Sequence, residues 1–132
     1  MPRIVLDTSV IVSALLKKDG VSRKALSKAA KGTLILSSET LTELSEVLNR
    51  PKFERFFSEE EKLATLNLLI EQGEAIVVSS SITICRDLSD NKFLNLAVDG
   101  KADVIVSRDP DLLILSSVNG IPILTPAAFL SF

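Results

Sequence analysis

The chain alternates short blocks of continuous apolar residues with longer stretches in which apolar positions recur every three or four residues. The short blocks are RIVL (3–6), TLIL (33–36), AIVV (75–78), DVIV (103–106) and IPIL (121–124). Uninterrupted apolar runs, rather than alternating ones, are what strands covered on both faces require. Pro122 lacks an amide hydrogen, which places the last block at a sheet edge. The intervening segments carry helix punctuation. One helix is predicted over about 21–31, ended by Gly32, and one over about 39–49, between Ser37-Ser38 and Pro51, with Leu41, Leu44, Val47 and Leu48 facing the core. Ser58 to Glu61 matches a capping box ahead of Leu63, Leu66, Leu69 and Ile70, with Gly73 as the C-terminal cap. Phe93, Leu94, Ala97 and Val98 repeat at helical spacing before Gly100, and Thr125-Pro126 opens a short last helix. Strands alternating with helices predict an α/β fold built on a parallel sheet.

Length and composition narrow this picture. The 132 residues, 46% of them hydrophobic, are expected to form one domain spanning 1–132. No apolar run approaches the ~18 residues of a membrane span, and the N-terminus lacks a signal-peptide order, so a soluble, cytoplasmic protein with no membrane partner is expected. The chain has no histidine and one cysteine, Cys85. Serine and cysteine hydrolases that use a histidine base are thereby excluded, as are zinc sites held by histidines or cysteines. Any chemistry must rest on carboxylates, hydroxyls, amines or guanidiniums.

Two carboxylates stand at the ends of predicted strands. Asp7 follows the first block, and Asp109 follows the fourth after Ser107-Arg108. In a parallel sheet both reach the carboxyl edge, where open α/β sheets place their sites. Glu43 lies one turn into the helix after the second strand, and Asp90 opens the helix before the fourth. Each acid has a structural explanation: Asp7, Asp90 and Asp109 all stand where helix N-caps are expected, and Glu43 could be a surface residue. Gathered together, however, they would repel one another unless a cation neutralised them, and a hard divalent ion such as Mg²⁺ or Mn²⁺ takes oxygen ligands of this kind.

The net charge of −2 gives no global sign of nucleic acid, but the distribution does. Lys17, Lys18, Arg23, Lys24, Lys28 and Lys31 form one basic segment, and Arg50, Lys52 and Arg55 a second. Such residues either form a solvated face or hold a phosphate backbone.

The stretches IVLDTSVIVSALL, SSETLTELSEVLNRPKF and CRDLSDNKFLNLAVDGKADVIVSRDPDLL, in this order and through the closing IPILTPAAFL, resemble the PIN-domain family, in particular the VapC-like toxins of type II toxin–antitoxin systems. The resemblance implies a three-layer α/β/α domain with a five-stranded parallel sheet in the order 3-2-1-4-5. It implies a Mg²⁺- or Mn²⁺-dependent endoribonuclease whose four acids fall on Asp7, Glu43, Asp90 and Asp109. Asp7, Asp90 and Asp109 would be the main metal ligands and Glu43 a ligand or water-positioning group. Ser9 would support the first acid and Ser107 orient the fourth, with Asp111 beside it. Asp87 competes with Asp90 for the third position, and Arg108 stands where relatives often have glycine, a residue suited to RNA phosphate or to a neighbouring carboxylate. The RNA-binding set is expected to be Lys17, Lys18, Arg23, Lys24, Lys28, Arg50, Lys52 and Arg108. The expected partners are an RNA substrate, a cognate antitoxin entering the acidic groove, and a second copy in a homodimer. The alternative is a catalytically silent PIN fold that binds RNA or protein.

Overall fold

The apolar blocks do form one sheet, described here by a computed structural model covering residues 2–132. Strands β1 (Arg3–Leu6), β2 (Thr33–Leu36), β3 (Glu74–Ala75), β4 (Val104–Val106), β5 (Ser117–Val118) and β6 (Ile121–Leu124) lie in the order β3-β2-β1-β4-β6-β5. All neighbours are parallel except β5 and β6. The helices are α1 (Thr8–Leu16), α2 (Val21–Ala30), α3 (Ser38–Leu48), α4 (Glu59–Gln72), α5 (Asn91–Asp99), α6 (Pro110–Leu113) and α7 (Pro126–Leu130), with 3₁₀ turns at Pro51–Phe53 and Leu88–Asp90.

Alternate residues of each central strand enter two separate cores. Ile4 and Leu6 of β1, Leu34 and Leu36 of β2, and Val104 and Val106 of β4 pack with α1, α2, α3, α4 and α7. Val5, Ile35 and Ile105 pack on the other face with Phe93, Leu94, Leu96 and Ala97 of α5 and Leu112 of α6. Both faces are therefore apolar, which is why the strands read as continuous runs. Truncating Leu94 or Leu96, both essentially inaccessible, to alanine would cost about 2–5 kcal/mol.

The five-strand expectation needs three corrections. A sixth strand, β5, forms a hairpin with β6 through Asn119-Gly120, both at positive φ (48° and 80°), the geometry of a two-residue type I′ turn. The strand holding Pro122 is therefore not the sheet edge: β4 and β5 flank it. The third strand pairs only over Glu74–Ala75 rather than 75–78, because the chain then leaves the sheet to run along α5. On α4 the capping box is present at Ser58 and Glu61, and of the apolar positions that follow it only Leu69 is buried, Leu63 and Ile70 being 59% and 58% exposed.

Candidate metal centre at the carboxyl edge of the sheet

The carboxyl ends of β1 and β4 bring Asp7 and Asp109 together through one residue, Ser107. Its fully buried hydroxyl donates to Asp7 Oδ2 and accepts from the Asp109 backbone N–H at 2.9 Å. Asp7 is also the N-cap of α1: its Oδ1 accepts from the Ser9 N–H at 2.7 Å. Ser9 thus supports Asp7 through its backbone. Burial pushes the Asp7 carboxyl above its ordinary value, opposed by the hydrogen bonds from Ser107 and Ser9. Asp109 caps α6 in the same manner, accepting from the Asp111 N–H at 2.9 Å. The capping reading therefore holds for both of these acids.

Asp90 behaves differently. It ends the 3₁₀ turn before α5, makes no side-chain cap, and is 7% exposed. Its Oδ2 has no hydrogen-bond partner among the described residues. Burial first, then the adjacent Asp109, with Asp87 and Asp7 adding, pushes its carboxyl up to about 8. Asp87, at the start of the same turn, accepts from the Ser89 N–H at 3.1 Å and hydroxyl at 2.7 Å. One carboxylate oxygen from each of Asp87, Asp90 and Asp109 lies within 4.8 Å of the others, close enough for a single ion. The two candidates for the third acid thus stand together at the site.

Glu43 lines the same cleft but is already engaged. Its Oε2 accepts from the Thr8 hydroxyl at 2.5 Å and its Oε1 from the Lys92 ammonium at 3.1 Å. Thr8 and Lys92 are the residues that sequence reasoning missed. Lys92 lies 49 positions from Glu43, and nothing local in DNKFL marks it as a partner. Asp111 is likewise occupied, paired with Arg86 at 2.8 Å.

The cleft, about 450 Å³, is rimmed by Arg50, Lys52 and Arg108. The other basic residues do not line it. Lys28 donates to the carbonyls of Phe129 and Phe132, both at 2.7 Å, and lies over the Phe129 ring, so it fastens the C-terminus to α2. Arg23 lines an apolar groove between α2 and α4. Lys17 and Lys18 are exposed beyond the end of α1, and Lys24 on α2 lies outside the cleft lining.

Residues 3–111 match the sequence pattern of the PIN domain, and the chain belongs to that family. It is 28% identical over 120 residues to the uncharacterized protein MJ1680 of Methanocaldococcus jannaschii, covering 89% of this chain and 77% of that protein. Among solved structures it superposes on a chain of VapBC2 from Rickettsia felis bound to a DNA fragment from their promoter, with a TM-score of 0.61 and 17% identity over 93% of this chain and 98% of that one. DNA-bound VapBC from Salmonella typhimurium gives 0.63 and 19% over 96% and 99%. The PIN domain of T. brucei RRP44 gives 0.50 and 18% over 98% and 79%. These likenesses establish the fold. No helix among the described residues is long and apolar enough to cross a membrane.

Proposed function

We propose that this PIN domain is a divalent-metal-dependent endoribonuclease, the toxin of a type II toxin–antitoxin pair. The observation that carries the reading is the convergence of Asp87, Asp90 and Asp109, with a buried Asp90 oxygen that has no hydrogen-bond partner among the described residues. Carboxylates crowded in this way, none of the three in a salt bridge among the described residues, fit a hard cation, and Mg²⁺ or Mn²⁺ suits an all-oxygen donor set. Asp87, Asp90 and Asp109 would hold the ion, with Asp7 beside them. When bound, such an ion polarises a phosphoryl oxygen and makes water a competent nucleophile near neutral pH.

The protein's own part is to shape and charge the cleft. Ser107 fixes the distance between β1 and β4 at their ends, holding Asp7 and Asp109 in one orientation. Asp7 and Asp109 are further locked as helix caps, so neither rotates freely. Thr8 and Lys92 hold Glu43 against the cleft wall, where its carboxylate orients water beside the scissile bond. Arg50, Lys52 and Arg108 supply cations at the rim for the RNA backbone, whose own charge disfavours approach to the acids. Hydrolysis by an in-line water leaves a 5′-phosphate and a 3′-hydroxyl.

The VapBC structures whose fold this chain shares are complexes, which supports an antitoxin as partner. The apolar groove lined by Ile11, Leu15, Leu26 and Leu68, which shares no lining residue with the cleft, offers a surface to an amphipathic segment of such a partner. RNA incubated with the wild-type protein and Mn²⁺ should be cut internally, and EDTA or Asp90→Asn should stop the cutting. Cleavage that persists in both would remove the reading.

A further inference from the structure

Residues 79–85 make no ladder with the sheet, yet they are fastened in place by one stripe of α5. Asp99 accepts from the N–H groups of Ser79 (2.6 Å) and Ser80 (2.9 Å), Asn95 Oδ1 accepts from the Ile82 N–H (2.7 Å), and Asn91 Oδ1 accepts from the Cys85 N–H (2.9 Å). Asn91, Asn95 and Asp99 are spaced four residues apart, so they line one face of the helix and grip the strap at three points. A polar segment held so firmly outside the sheet is a preorganised wall rather than a loose loop.

That wall borders a second, open pocket of about 500 Å³ between the strap and α5. It has an apolar side (Val78, Ile82) and hydroxyls (Ser81, Thr83) on the strap, and a carboxylate, Glu39 of α3, on the side facing them, an acceptor for the amino or imino groups of a base edge. It meets the acidic cleft at Ser89, which lines both. Lys92 stands at the same junction: it lines the pocket while its ammonium reaches Glu43 in the cleft wall. A cation at the mouth, an apolar wall and free hydroxyls inside are the features that receive, in turn, a backbone phosphate, the face of a base and its hydrogen-bonding edge.

Resting on the ribonuclease reading, we infer that the strap pocket is a subsite for one unpaired ribonucleotide one linkage removed from the scissile phosphate, with Lys92 at the phosphate between them.

The test measures binding separately from cutting. Fluorescently labelled single-stranded oligoribonucleotides of increasing length are titrated into the full chain in EDTA and followed by anisotropy, with cleavage of the same series followed in Mn²⁺. Wild type should show a gain of about tenfold in affinity at the length that first fills the pocket. Filling the pocket by Thr83→Phe, or separately by Ser81→Phe, should erase that step and leave shorter RNAs bound as before; thermal unfolding checks that each variant is folded. In cleavage, the loss should appear in KM for the longer RNAs, with kcat for the shortest unchanged. A step that survives both substitutions, in a protein that cuts RNA, overturns the subsite alone. A wild-type protein that neither binds nor cuts any member of the series overturns the ribonuclease reading and the subsite with it.

Discussion

The two ends of the same sheet treat charge in opposite ways. At the amino edge, beside the start of β1, Arg3 pairs with Glu74 at 2.6 Å and donates to the Gly100 carbonyl at 2.8 Å, while its backbone N–H donates to Asp103 at 2.7 Å. There Arg3 meets an opposite charge and the Asp103 carboxylate meets a backbone N–H. At the carboxyl edge, Asp87, Asp90 and Asp109 face one another, and Asp90 keeps an oxygen with no hydrogen-bond partner among the described residues. An arrangement that serves stability alone pairs its charges, whereas one that holds them apart from partners keeps a place for something to bind.

The largest break in this contrast comes from removing the crowding. Asp90→Asn should lower RNA cleavage by more than about 100-fold, read in a Mn²⁺-dependent assay. The same variant should leave the metal-free protein as stable as wild type or more so, read by thermal unfolding, because a neutral amide relieves the repulsion. A metal-free Asp90→Asn protein that unfolds far below wild type would mean that the acid is structural.

Acidity gives the second break. Unfolded, Asp90 titrates near the ordinary aspartate value of about 3.9; folded and metal-free, it titrates at about 8. Across that window the folded state holds a proton that the unfolded chain has released. Stability from this group is therefore fully present below pH ~4 and declines until pH ~8. The melting temperature in EDTA should fall between pH 5 and pH 8, more steeply for wild type than for Asp90→Asn, and saturating Mn²⁺ should raise it most at the upper end.

At the paired edge, Arg3→Ala should cost about 1 kcal/mol, less at high salt, and leave cleavage unchanged, since the ion pair is partly exposed. The smallest effect belongs to Lys28→Met. It should loosen the C-terminus by about 1 kcal/mol or less without altering the salt dependence of RNA binding, whereas Arg108→Ala should reduce that dependence.

What the sequence made legible follows from where the information is local. Continuous apolar blocks identify strands buried on both faces, and a carboxylate directly after such a block must lie at the sheet's carboxyl edge, so Asp7 and Asp109 were placed by period and direction alone. The Asn119-Gly120 hairpin carried a local signal too, in a dipeptide suited to positive φ at both positions. The strap at 79–85 had none, because its conformation is set by three side chains of a later helix. Leu63 and Ile70 sit at helical spacing with other leucines, and spacing does not say which flank of a wide apolar face meets the sheet. Lys28 looked like part of a basic face because its partners, the carbonyls of Phe129 and Phe132, lie about a hundred residues away. Glu43 was placed at the cleft, but its pairing with Thr8 and Lys92 depends on two helices meeting in space.

The central claim is that the carboxyl edge is a metal site and not merely a cluster of caps. Its most direct measurement is the thermal unfolding of wild type and Asp90→Asn at pH 7.5 as Mn²⁺ is titrated from zero. Wild type should gain stability in a saturable way, by about 2.7 kcal/mol at a hundred times Kd, while Asp90→Asn should gain little. No gain in wild type, or an equal gain in both proteins, would mean that the acids at the carboxyl edge do not form a metal site.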